Sequence, residues 1–164
     1  MLYPLSYEGP WLRGRDGRRV SVVRVAAGGH AYHDLVADDV KVLLVDDDPV
    51  ILKLLQVNFE MEGYTVMMAN DGLEGVEMAR SKRPDIVLCD IMMPKMDGLE
   101  VTRALKADEE TRGIPIILLS ARAQAFDIQE GKDVGADDYV TKPFDPLELL
   151  DRVKDLLEAR PPGS

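Results

Sequence analysis

The chain's 164 residues, 46% hydrophobic and 30% charged, leave room for one domain with a substantial core and exclude a second domain of ordinary size beside it. A net charge of -10 argues against a nucleic-acid-binding surface, and no apolar run approaches the roughly 20 residues of a membrane span. The first dozen residues hold Glu8, Pro4 and Pro10 rather than a signal-peptide pattern, and Cys89 has no cysteine to pair with, so a reducing cytoplasm is the expected compartment.

Residues 1–39 are electrically balanced, with five Arg and five acidic residues, so the whole negative charge falls on residues 40–164. Arg18 to Val25 (RRVSVVRV) reads as one strand, but its surroundings are Gly-rich, and the segment is expected to be a poorly ordered extension. His30 and His33 have the spacing of half a metal site without further ligands.

From Lys41 the pattern changes to short apolar runs alternating with helix-length amphipathic segments, the signature of a parallel sheet covered on both faces. Five strands are predicted: KVLLVD from Lys41, YTVMMA from Tyr64, DIVLCD from Asp85, PIILLS from Pro115 and DYVTK from Asp138. The first helix opens on Asp48 and Pro49, presents Val50, Leu54, Val57 and Met61 on one face, and stops at Gly63. The second, from about Asp71, presents Leu73, Val76 and Ala79; the third, from about Leu99, presents Leu99, Thr102 and Leu105. The fourth, from about Ala121 to Val134, is poor in large side chains and is expected to pack weakly. The last begins at Asp145 and Pro146 with Glu148 placed as in a capping box, presents Leu149, Leu150, Val153 and Leu157, and ends near Arg160. The domain is therefore expected over 40–160, with 161–164 as a tail. Cys89 reads as a small buried apolar residue.

In open parallel sheets, ligands bind at the carboxyl ends of strands where the winding reverses. Strand one ends at Asp46, Asp47 and Asp48, strand three at Asp90, strand four at Ser120 and strand five at Lys142. Taken singly these are a helix cap, a turn residue, a second cap and a solvated lysine; taken together, at four strand ends, they form a constellation. Three carboxylates brought close repel by about 3 kcal/mol per pair and call for a hard divalent cation, which points to Mg2+ on Asp46 and Asp47. With that charge neutralised Asp90 becomes a nucleophile for phosphorus, and Lys142 and the Ser120 hydroxyl supply charge and hydrogen bonding to the acyl phosphate it forms.

LVDDD at 44–48, DIMMPKMDG at 90–98, LLSAR at 118–122 and GADDYVTKPF at 135–144 together resemble the response-regulator receiver family over about Val40 to Ala159. The resemblance implies a flavodoxin-like, doubly wound α/β fold with five parallel strands in the order 2-1-3-4-5. It implies Asp90 as phosphoacceptor, Asp47 as a direct metal ligand, Asp46 as a ligand directly or through water, and Met92 as a ligand through its backbone carbonyl. Lys142 would contact the phosphoryl group, Ser120 would move toward it, and Tyr139 would turn inward as the aromatic switch. The Lys142–Pro143 bond would be cis, Gly98 would supply a backbone conformation that other residues resist, and Met92 and Arg122 would tune the lifetime of the phosphorylated form.

The implied donor is a phosphohistidine on a sensor histidine kinase or phosphotransfer protein. The chain would thus be a signalling switch acting on a downstream protein partner, and neither a turnover enzyme nor a direct binder of nucleic acid or membrane. GADDYVTKPFDPLELLDRVKDLL also resembles receivers of winged-helix transcription factors, which pair through helix four, strand five and helix five. Asp138, Glu148, Arg152 and Lys154 then form either cross-subunit ion pairs of a homodimer or a solvated charged face. A stand-alone receiver and the receiver part of a larger DNA-binding or messenger-producing regulator both fit; a pseudo-receiver fits less well, since no key acid, hydroxyl or lysine is missing.

Overall fold

A computed structural model describes residues 40–121 and 125–159, together with four short strands ahead of them. Those four are β1 (Leu12–Arg13), β2 (Arg19–Val20), β3 (Val22–Ala27) and β4 (His30–Leu35), paired antiparallel as β1 with β2 and β3 with β4. The register of β3 and β4 runs from Val22 opposite Leu35 to Ala27 opposite His30. The strand expected across Arg18 to Val25 is thus divided between β2 and β3. The side chains of His30 and His33, Arg122, and the tail 161–164 lie outside the described residues.

The rest alternates strand and helix: β5 (Lys41–Val45), α1 (Pro49–Met61), β6 (Thr65–Ala69), α2 (Gly72–Lys82), β7 (Ile86–Asp90), α3 (Gly98–Ala107), β8 (Ile116–Ser120), α4 (Ala125–Asp133), β9 (Asp138–Thr141) and α5 (Pro146–Glu158). The five strands from β5 onward form one parallel sheet in the order β6-β5-β7-β8-β9, which is 2-1-3-4-5 in the count that starts at Lys41. Chain order reverses direction between β5 and β7, so their carboxyl ends flank the crevice where the two windings part.

β7 and β8 are buried along their whole length because each face meets a separate core. Ile86, Leu88, Ile117 and Leu119 join Leu52, Leu55 and Phe59 of α1 and Leu149, Leu150 and Val153 of α5 on one side. Val87, Cys89, Ile116 and Leu118 join Val76 and Ala79 of α2 and Val101 and Leu105 of α3 on the other. The period of two along each strand sorts successive residues into the two cores.

Three expectations about the helices change. On α1 the buried stripe is Leu52, Leu55 and Phe59, whereas Val50, Leu54, Val57 and Met61 are exposed, Val50 by 72% and Met61 by 81%. The helix is apolar on both stripes, and Phe59, packed on Tyr64 with ring centroids 5.5 Å apart, belongs to the one that faces the sheet. On α2 Val76 and Ala79 are buried but Leu73 is exposed, its place toward the core taken by Gly72 and Gly75. At α5 Asp145 caps the Leu147 N–H as expected, but Glu148 turns to Arg152 instead of closing a capping box. The capping box is at α3, where Asp97 accepts from the Glu100 N–H and Glu100 from the Asp97 N–H.

Candidate functional site

At the end of β5 the chain turns directly into α1, and the capping geometry of that turn fixes the first acid. Asp48 is the N-cap, accepting the Val50 N–H, and its own N–H is donated to Asp46 Oδ1 at 2.9 Å. The other oxygen of Asp46 accepts from Lys142 Nζ at 2.9 Å, so this 2%-exposed carboxylate is held from two directions. Asp47, between them, is exposed.

Asp90 ends β7 and is 5% exposed, with Oδ1 at 3.2 Å from the same Lys142 Nζ. The loop after it folds back tightly: Gly98 donates its N–H to Ile91 O at 3.0 Å. A Cβ on Gly98 would collide with the Asp90 carbonyl oxygen and sit 2.8 Å from Ile91 Cα. The glycine is required by this close approach; positive φ among the described glycines belongs to Gly63 and Gly135, so the backbone-conformation reading of Gly98 gives way to a spatial one. In the same loop it is Lys95, with φ 69°, that adopts the left-handed region.

Lys142 follows β9, which sits beside β8 and donates the Lys142 N–H to Ser120 O at 2.7 Å. The Lys142–Pro143 bond is cis. Ser120 is fully buried at the end of β8, and with Tyr139, Met92, Leu99 and Glu130 it lines a cleft of about 380 Å3 adjoining the acids. The structure therefore brings together all six side-chain positions singled out in the sequence: the carboxylates of Asp46, Asp47 and Asp90, the Lys142 ammonium, and Ser120 and Tyr139 along the neighbouring cleft.

The three carboxylates each offer an oxygen within 4.8 Å of the others, a separation at which a pair repels by about 3 kcal/mol at an effective dielectric of 20. Burial, and then the charge of Asp46, raise the Asp90 carboxyl above the ordinary range, against the opposing pull of Lys142. Burial works against the Lys142 ammonium, but its bonds and attraction to Asp46 and then Asp90 outweigh that and raise it. One ammonium facing three carboxylates leaves negative charge unbalanced, and the free donor set is all oxygen. That chemistry fits a hard divalent cation such as Mg2+. Cys89, next to Asp90, is buried and its thiol is pushed up by burial and then by the neighbouring carboxylates, so it stays a protonated packing residue.

Comparisons with known proteins match the part of the chain that forms the five-stranded parallel sheet. The family described as the response regulator receiver domain matches residues 42–154. The chain is similar to the DNA-binding dual master transcriptional regulator RpaA of Synechocystis sp., 47% identical over 117 residues, covering 71% of this chain and 48% of that protein. It is also similar to the alkaline phosphatase synthesis transcriptional regulatory protein PhoP of Bacillus subtilis, 44% identical and covering 71% of this chain and 48% of that protein. The chain thus spans about half the length of the curated relatives it matches. Among solved structures, the chemotaxis protein CheY4 of Vibrio cholerae matches with a TM-score of 0.67 and 35% identity, over 70% of this chain and 96% of that one. The receiver domain of the sensor histidine kinase PA1611 of Pseudomonas aeruginosa, solved with a magnesium ion coordinated in its active-site cleft, matches with a TM-score of 0.68 and 34% identity, over 73% of this chain and 98% of that one.

Proposed function

Because the chain belongs to the response regulator receiver domain family of two-component systems, we propose that it accepts a phosphoryl group on Asp90 from a phosphohistidine of a sensor kinase or phosphotransfer protein. The observation that carries this is the pairing of acids from β5 with the acid of β7 across the sheet's switch point, bridged by one lysine at 2.9 and 3.2 Å. In the transfer an Asp90 carboxylate oxygen attacks phosphorus, the P–N bond of the donor breaks, and the freed imidazole takes up a proton. Lys142 is near enough to Asp90 to pair with a phosphoryl oxygen, and burial keeps competing water from the bond. Asp46, Asp47, Asp90 and the Met92 carbonyl would hold Mg2+, which when bound offsets carboxylate charge and polarises the phosphoryl oxygens. Ser120 and Tyr139 would respond along the cleft they share, turning the new charge into a change of surface.

The chain acts in this reading as a switch on a partner, with no substrate turned over, in the cytoplasm; no helix among the described residues is long and apolar enough to cross a membrane. A second reading, the receiver part of a DNA-binding regulator, is favoured by the greater length of the similar curated proteins, and the reading frame that follows in the source gene decides it. A homodimer through α4, β9 and α5 would trade the within-chain pairs Arg152–Asp138 at 2.8 Å and Lys154–Glu62 at 3.4 Å for cross-subunit ones.

Incubation with acetyl phosphate and Mg2+ tests the central claim. A mass increase of one phosphoryl group, absent after chelation and absent in Asp90→Ala, is the expected result. Labelling retained in Asp90→Ala would name a different nucleophile, and steady turnover of varied phosphoesters would make the chain a phosphatase.

A further inference from the structure

Gly131 stands inside the nine-residue α4, where glycine is the poorest helix former apart from proline. Its backbone takes an ordinary φ, so the turn of the chain gives no reason for the missing side chain. Space gives one. A Cβ at this position would lie 3.1 Å from Cδ2 and 3.5 Å from Cε2 of Tyr139, and 3.3 Å from Cδ1 of Leu118. The first and third of these are shorter than ordinary carbon contacts, so one of the two neighbours has to give way.

The two neighbours differ in their freedom. Leu118 is 0% exposed in β8, closed in by the core it shares with Val101 and Leu105. Tyr139 is paired with Leu118 in register but stands on β9, the edge strand, where it is only half-buried. The ring is the part that yields. Beside it lies the cleft lined by Ser120, Met92, Leu99 and Glu130.

We propose that Gly131 is a parking slot for Tyr139: the bare backbone of α4 lets the ring rest against the helix and keeps the cleft beside Ser120 open in the unphosphorylated receiver. A methyl group there pushes the ring toward the cleft and shifts the population toward the switched form before any phosphoryl group arrives. This makes Gly131 a positioning residue that acts through Tyr139, and it rests on the reading of Tyr139 as the responding side chain.

The test uses the full chain carrying 13C-ring-labelled tyrosine, with the Tyr139 signal identified by its loss in Tyr139→Phe, and beryllofluoride with Mg2+ as the phosphoryl mimic. In the parent the Tyr139 signal should move when beryllofluoride is added; if it does not, the reading of Tyr139 as the switch fails, independently of Gly131. In Gly131→Ala the signal should already lie displaced toward the beryllofluoride position. The apparent affinity for beryllofluoride should then rise roughly threefold or more, since part of the shift is already made. A Gly131→Ala protein that melts higher, as better helix propensity alone dictates, with an unmoved Tyr139 signal and unchanged affinity overturns the proposal. The double variant Gly131→Ala, Tyr139→Ala separates a direct effect on α4: with the ring gone the added methyl should no longer alter beryllofluoride affinity, and a persistent alteration would also overturn it.

Discussion

The two sides of the sheet are built to different standards. Around β5, β7 and α3 every strand residue but one is buried, α3 is fixed by the reciprocal Asp97–Glu100 capping box, and Val101 and Leu105 are 0% exposed in the core. On the opposite side of β8, the four-residue β9 keeps only Val140 buried, and the described residues of α4 contribute nothing to either core cluster. The acids stand on the first side, and Tyr139 stands on the second. Lys142 joins them, since it leaves β9 to reach Asp46 and Asp90. On the proposed reading, a carboxylate nucleophile at Asp90 has to be held within tenths of an ångström, whereas a reporter at Tyr139 needs two arrangements of similar energy, and the difference in packing would meet both needs.

The firmest side should break hardest at Gly98. Gly98→Ala forces a methyl into the Asp90 carbonyl, with backbone on both sides of the conflict, and should cost about 3 kcal/mol or more in urea unfolding. It should also lower Mg2+ affinity, because the displaced segment carries Asp90. A loss under 1 kcal/mol would mean that the loop relaxes and that this side is softer than its burial implies. The contrast itself is sharpened by matched truncations. Leu105→Ala in α3 should cost about 3 kcal/mol, and Ile128→Ala on the half-buried face of α4 about 1 kcal/mol or less. Equal losses would remove the distinction.

The parallel sheet was legible because apolar runs such as DIVLCD and PIILLS alternate with helix-length amphipathic segments, as strands covered on both faces do, whereas its order 2-1-3-4-5 came only from the resemblance to the receiver family. The acids were legible for a related reason, since each follows such a run directly and strand ends in this topology converge. The orientation of α1 was not, because PVILKLLQVNFEM is apolar on two stripes, and only contact with the sheet selects Leu52, Leu55 and Phe59. The capping box of α3 is legible in the D-x-x-E spacing of Asp97 and Glu100, where each residue's side chain can accept from the other's backbone N–H. Gly98 and Gly131 could be seen as glycines but not as contacts, since what each one makes room for lies elsewhere in the chain: the Asp90 carbonyl for one, the Tyr139 ring for the other.

Within the firm side, Asp90 is the group whose ionisation works against folding in the absence of metal. Its carboxyl is raised by burial and by Asp46, so the folded chain holds that proton more tightly than the unfolded chain. Stability attributable to Asp90 should therefore fall as pH rises from the ordinary carboxylate range, about 4, through the raised folded value. In chelator, Asp90→Asn should unfold about 1–2 kcal/mol later than the parent at pH 7, with the gain shrinking toward pH 4. Added Mg2+ should narrow the gap by stabilising only the parent. A variant less stable than the parent at pH 7 would show that the Lys142 pairing outweighs the burial and repulsion.

The smallest expected effect concerns the loop that ties Asp90 to α3. Lys95 holds φ 69°, a conformation that costs a residue with a Cβ roughly 1 kcal/mol, and its side chain makes none of the described hydrogen bonds. Lys95→Gly removes that cost but adds freedom to the unfolded chain, so the net gain should be about 0.5 kcal/mol, a rise of roughly 2–3 °C in Tm. Arg83 supplies the control. It sits at φ 50°, yet its guanidinium donates to Arg80 O and Glu110 O at 2.8 Å each and pairs with the Glu110 carboxylate. Arg83→Gly relieves similar strain while losing those bonds, so it should lower Tm. If Lys95→Gly leaves Tm unchanged, or lowers it as Arg83→Gly does, backbone strain at Lys95 is not what limits the stability of the loop that follows Asp90.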